Sequence, residues 1–138
     1  MGISNAPRIR VLVAEDETLA AMALEDALLR AGFGVVLAND GEQAALSFAE
    51  SATDALVTDL RMPRLDGMGL IRRLRAARPD LPVVVMTGYP PEGGIDAFGD
   101  GTGGATRLLL KPINPNDVIA ALRTILADGC GAGEAVPR

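Results

Sequence analysis

Four apolar runs in this chain each close on a polar residue suited to holding phosphate or a hard cation. Ile9 to Ala14 runs into Glu15 and Asp16, and Ala55 to Thr58 into Asp59. Leu81 to Met86 runs into Thr87, and Arg107 to Leu110 into Lys111. Segments with helical signals lie between them, and this alternation constrains the fold more than any other feature. Alternating strands and helices predict a parallel sheet covered by helices on both faces. An open parallel sheet binds ligands at the carboxyl ends of its strands. The pattern therefore predicts three carboxylates, a hydroxyl and an ammonium converging on one spot.

Local signals bound each segment. Ile9 to Ala14 reads as the first strand, and Thr18 to Ala31 as an Ala- and Leu-rich helix followed by Gly32 at a C-cap position. Val35 to Leu37 is the second strand. Asp40, with Gln43 three residues on, forms a capping box for a helix through Glu50. Asp54 to Asp59 is the third strand. Asp66-Gly67 opens a helix carrying Leu70, Ile71 and Leu74 on one side, stopped before Pro79. Val83 to Met86 is nearly pure apolar, as a central parallel strand should be. Leu108 to Leu110 is the fifth strand. Asn114-Pro115 caps and opens a last helix, with Val118, Leu122 and Ile125 at i, i+4, i+7.

The order is (βα)₅, and its fourth helix is the weak unit. Pro90, Pro91 and six further glycines up to Gly104 disfavour a regular helix there. A short or irregular element is expected.

The 138 residues suffice for one domain. A net charge of −5 argues against a direct nucleic-acid surface or an anionic-membrane surface. Arg61, Arg64, Arg72, Arg73, Arg75 and Arg78 form a local basic stretch, read as a solvated helix face. No apolar stretch approaches the ~20 residues that span a bilayer. With one cysteine, Cys130, and no signal-peptide pattern, a cytoplasmic location is the expectation. Histidine is absent, which removes imidazole ligands and histidine bases. Metal binding must fall to carboxylates, whose hard oxygens favour Mg²⁺ or Ca²⁺ over Zn²⁺.

The chemistry follows from these residue types. Asp59 can accept a phosphoryl group as an acyl phosphate. Glu15 and Asp16 would hold Mg²⁺, while Lys111 and Thr87 offer an ammonium and a hydroxyl to the phosphoryl oxygens. Each signal alone has a bland reading, such as a helix cap for Asp59 or a surface lysine for Lys111. Their recurrence at four strand ends is hard to produce by chance.

Over roughly Arg8 to Leu126 the chain resembles the receiver domains of bacterial two-component response regulators. The likeness rests on Glu15-Asp16, on Asp59-Leu60-Arg61-Met62-Pro63-Arg64-Leu65-Asp66-Gly67, on Met86-Thr87-Gly88, and on Gly104-Ala105 leading to Lys111-Pro112. The resemblance implies a flavodoxin-like, doubly wound parallel sheet of strand order 2-1-3-4-5. It implies a receiver domain over residues 8–128, between a flexible N-terminus (1–7) and a disordered tail (129–138). By position, Asp59 resembles the phosphoacceptor, charged from a phosphohistidine on a sensor histidine kinase or histidine phosphotransfer protein. Asp16 and Asp59 resemble direct ligands of Mg²⁺ (or of Mn²⁺ in its place), with Glu15 beside them and the Arg61 backbone carbonyl completing the site. Thr87 resembles the switch hydroxyl, Lys111 the catalytic cation, and Lys111-Pro112 the family's cis peptide. The output is an altered affinity for an unknown protein, or a phosphorylation-linked dimer, through the face of the fourth helix, fifth strand and fifth helix. Such a domain is not an enzyme beyond catalysing its own phosphorylation and dephosphorylation.

Leu108 stands where the family carries the aromatic switch residue, and a leucine cannot bury and expose a ring edge. Tyr89, the only tyrosine, is the candidate substitute. Arg61 and Tyr89 also occupy positions that tune access of water to the acceptor. The leading expectation is a stand-alone receiver, since nothing after Leu126 is long enough for an output domain. A hybrid-kinase segment, a vestigial interaction module and a phosphatase of the haloacid dehalogenase type are the alternatives. The last would need an aspartate where Arg61 stands.

Overall fold

A computed structural model describes residues 8–89 and 105–131, the last four as backbone only. The sheet has five parallel strands: β1 (Arg10–Ala14), β2 (Gly34–Ala38), β3 (Ala55–Asp59), β4 (Val83–Thr87) and β5 (Thr106–Leu110), ordered β2-β1-β3-β4-β5. The helices are α1 (Thr18–Arg30), α2 (Gly41–Glu50), α3 (Gly67–Ala77) and α4 (Pro115–Gly131). The expected fold and strand order are present. The fourth-helix region, the N-terminus 1–7 and residues 132–138 lie outside the described residues.

Successive side chains of a strand point to opposite faces, so both faces must be covered. Val11, Val13, Val57, Val84 and Met86 pack under α1 and α4 against Leu24, Leu28, Val118, Leu122 and Ile125. Leu12, Ala14, Leu56, Val83 and Val85 pack under α2 and α3 against Ala44, Phe48, Leu70, Ile71 and Leu74. The apolar triplets read as core in α3 and α4 are buried as expected.

The caps behave largely as their residue types dictate. Asp40 accepts the Gln43 N–H at 2.8 Å, Asp66 the Gly69 N–H at 2.8 Å, and Asn114 the Asn116 N–H at 2.9 Å. Gly32 takes φ +98° just past α1, where a left-handed residue ends the helix. The capping box on α2 is only half formed. The Gln43 side chain reaches past Asp40 and accepts the Asn39 N–H at 3.1 Å. β3 begins one residue later than expected, because the Asp54 carboxylate accepts the Arg10 N–H at 2.9 Å from outside the strand. β1 begins at Arg10 rather than Ile9, and α4 runs to Gly131.

Arg75 corrects the reading of a solvated basic face. It is 2% exposed, on the core side of α3. Its guanidinium donates to the Leu81 carbonyl (Nε 3.1 Å, Nη2 2.9 Å) and to the Ala105 carbonyl (Nη2 2.9 Å). A buried cation needs such partners, and here they lie at the entries to β4 and β5. Other arginines of the stretch are ion-paired: Arg64 with Asp40, Arg73 with Glu42 and Arg78 with Asp80.

Candidate functional site

The strand order puts the carboxyl ends of β1, β3, β4 and β5 side by side, with the topological switch between β1 and β3. Glu15 and Asp16 follow β1, Asp59 ends β3, Thr87 ends β4 and Lys111 follows β5. The strands therefore bring together the carboxylates, hydroxyl and ammonium that the sequence pattern predicts.

Carboxylate oxygens of Glu15, Asp16 and Asp59 lie within 4.8 Å of one another. Glu15 and Asp59 are buried, and Asp16 is exposed at the mouth. Lys111 Nζ donates to Asp59 Oδ2 at 2.7 Å and stands 3.6 Å from Glu15 Oε1. The Glu17 N–H donates to Glu15 Oε2 at 3.0 Å, fixing that carboxylate at the entrance to α1.

Burial raises the Glu15 pKa above its ordinary value of 4.5. The Glu17 N–H and the Lys111 charge work against that rise, and the Asp59 and Asp16 charges reinforce it. Burial alone would lower the Lys111 pKa, but the hydrogen bond and charge of Asp59, with Glu15, outweigh it and raise the value. With all three carboxylates ionised, one ammonium leaves two negative charges uncompensated, the charge of a divalent cation. The donors are hard oxygens only, which suits Mg²⁺.

Thr87 is buried, and its hydroxyl is engaged with the backbone of Tyr89, accepting the N–H at 3.1 Å and donating to the carbonyl at 3.2 Å. Tyr89 is 71% exposed, and the Arg61 guanidinium lies over its ring, 4.8 Å from the centroid. Leu108 is only half-buried, on β5 opposite Val85, and packs against the cluster under α2 and α3. Lys111-Pro112 is cis. In the sequence Asp40 reads only as a helix cap and Arg64 only as part of the basic stretch. The structure joins them as an ion pair at 3.3 Å beside the loop that follows Asp59.

The sequence profile of the response regulator receiver domain matches residues 11–123. The chain belongs to that family. As a receiver domain it is 36% identical over 122 residues to the response regulator MprA of Mycobacterium bovis, covering 86% of this chain and 50% of the relative. MprA of Mycolicibacterium vanbaalenii is 34% identical over 137 residues, covering 93% and 57%. The chain thus spans about half the length of the curated relatives it matches. Among solved structures, a response regulator receiver protein from Sinorhizobium medicae superposes with TM-score 0.78 at 27% identity, covering 88% of this chain and 97% of that chain.

Proposed function

We propose that this receiver domain accepts a phosphoryl group on Asp59 from a phosphohistidine of a sensor histidine kinase or histidine phosphotransfer protein. The observation that carries the reading is the buried Asp59 carboxylate held at 2.7 Å by Lys111 inside a carboxylate cluster. Asp16 and Asp59 would ligate Mg²⁺ or Mn²⁺, with Glu15 beside them and the Arg61 carbonyl completing the set. The metal would neutralise charge on the phosphoryl oxygens.

The chain's own groups do the rest. An Asp59 oxygen attacks phosphorus as the P–N bond to the donor imidazole breaks, and the imidazole leaves with the bonding pair. Lys111 then shifts from the free carboxylate to a phosphoryl oxygen, where its charge is needed. A cleft of about 240 Å³ opens between α1 and the β5–α4 turn, lined by Ala20, Ala23, Leu24, Pro112 and Ile113 beside Glu15 and Lys111. Its apolar walls next to the acceptor suit an approaching donor protein.

Thr87 must give up its two bonds to the Tyr89 backbone to reach the phosphoryl group. That move frees Tyr89 from its position under Arg61, and so carries the switch in place of an aromatic at position 108. The same two residues screen the acyl phosphate from water. The signal leaves through the face around β5 and α4, where Leu110 is 57% exposed, to an output protein or a second copy. No helix among the described residues is long and apolar enough to cross a membrane, and we place the domain in the cytoplasm. Transfer of labelled phosphate from a phosphorylated histidine donor tests the reading. Label on the wild type and none on Asp59→Asn is expected; label on both would overturn it.

A further inference from the structure

The loop between β3 and α3 folds with a strained backbone. The Leu65 N–H donates to the Pro63 carbonyl at 2.9 Å, closing a three-residue turn. Its central residue, Arg64, has φ +73°, a γ-turn of the hand that is rare and strained for a residue with a Cβ. Among the described residues it is the one non-glycine with positive φ. Such strain persists only where the surroundings over-determine it, and it gathers at functional sites.

Helix α2 supplies those surroundings. Arg64 Nε lies 3.3 Å from Oδ2 of Asp40, whose Oδ1 caps α2 through the Gln43 N–H. The Asp40 side chain is 14% exposed and that of Arg64 67%, so the anchoring charge is the sheltered one. Gly41, the next residue, packs directly on the Leu65 carbonyl, which a Cβ would run into. On the other flank the Gly67 N–H donates to the Leu60 carbonyl at 2.9 Å, and Gly67 lies against the Asp59 carbonyl with no room for a Cβ. The turn is clamped between α2 and the acceptor strand, and Arg61 sits in the short span between the two clamps.

We propose that Asp40 and Arg64 are positioning residues for the metal site: their ion pair holds the strained turn, and the turn sets the direction of the Arg61 carbonyl. This role rests on the reading of that carbonyl as a ligand of Mg²⁺. Groups behind a metal's ligands tune affinity by orienting them. An ion pair with one exposed partner has a modest effect.

Calorimetric titration of Mg²⁺ into the wild type, Arg64→Ala, Asp40→Asn, their double variant and Arg64→Gly tests the role. Arg64→Ala is expected to bind Mg²⁺ about fivefold more weakly. Asp40→Asn keeps an oxygen for the Gln43 N–H, hence the α2 cap, and shows a similar loss that does not add in the double variant. Arg64→Gly recovers most of the affinity, because glycine takes positive φ without a Cβ penalty. A merely stabilising ion pair would not be rescued by glycine. Wild-type affinity in Arg64→Ala, or a glycine variant as weak as the alanine one, overturns the positioning role and leaves the metal reading standing. A folded wild type that binds no Mg²⁺ overturns the metal reading and this role with it.

Discussion

Lys111 reaches across the end of β4 to place its ammonium 2.7 Å from Asp59 Oδ2, although the two residues are 52 positions apart in the chain. Glu15 stands on the other side of the same ammonium at 3.6 Å. One cation therefore serves two buried carboxylates.

Replacing Lys111 with methionine leaves those carboxylates without their cation. The lysine is 31% exposed, which reduces the cost below that of a fully buried pair, to about 1–2 kcal/mol. Phosphorylation by an acyl-phosphate donor should slow on the order of 100-fold. Denaturant melts and rate measurements would show both. A rate equal to that of the wild type would remove Lys111 from the chemistry.

Glu15 makes the metal-free domain sensitive to pH. Its folded pKa is raised, so its contribution to stability is present below its ordinary 4.5 and is lost as pH rises through the raised value. Glu15→Gln should thus melt higher than the wild type in chelator at neutral pH, and the gain should vanish below 4.5. Mg²⁺ should reverse the order, because it stabilises the wild type more than the variant. A neutral-pH melt in chelator that is lower for the variant would contradict the account.

Tyr89 is the only tyrosine in a chain without tryptophan, so it reports alone in fluorescence. Phosphorylation should change its emission in the wild type, as Thr87 lets go of its backbone and the ring leaves Arg61. Thr87→Ala should still take up phosphate but lose the fluorescence response. It should also lose about 1 kcal/mol of stability with the missing hydrogen bonds. An identical response in both proteins would place the switch elsewhere.

Arg75 is structural, and its removal should spare the site. Arg75→Met strips the Leu81 carbonyl of its guanidinium donors, leaves the Ala105 carbonyl with only the Val83 N–H, and should cost about 2–4 kcal/mol. Mg²⁺ affinity of the remaining folded protein should stay at the wild-type value. A parallel loss of affinity would tie the entries of β4 and β5 to the acceptor.

Asp59, Thr87 and Lys111 were legible because parallel strands align their carboxyl ends, so a residue type at the end of an apolar run is already a position in space. The caps at Asp40, Asp66 and Asn114 were legible because a short side chain and its own backbone settle them locally. Arg75 was not. Its acceptors lie 6 and 30 residues away, and a charged residue inside a basic run gives no sign of burial. The positive φ of Arg64 was hidden for a related reason, since glycine normally marks such a turn and Asp40, 24 positions earlier, holds it here. The stack of Arg61 on Tyr89 joins two exposed side chains from different loops, which no periodicity encodes.

Intact mass after incubation with Mg²⁺ and a small acyl-phosphate donor, read beside Asp59→Asn, tests the central claim most directly. The account predicts one added phosphoryl group on the wild type, none on the variant, and none on either in chelator. A folded, metal-supplied wild type that stays unmodified, or an adduct that survives Asp59→Asn, would contradict it.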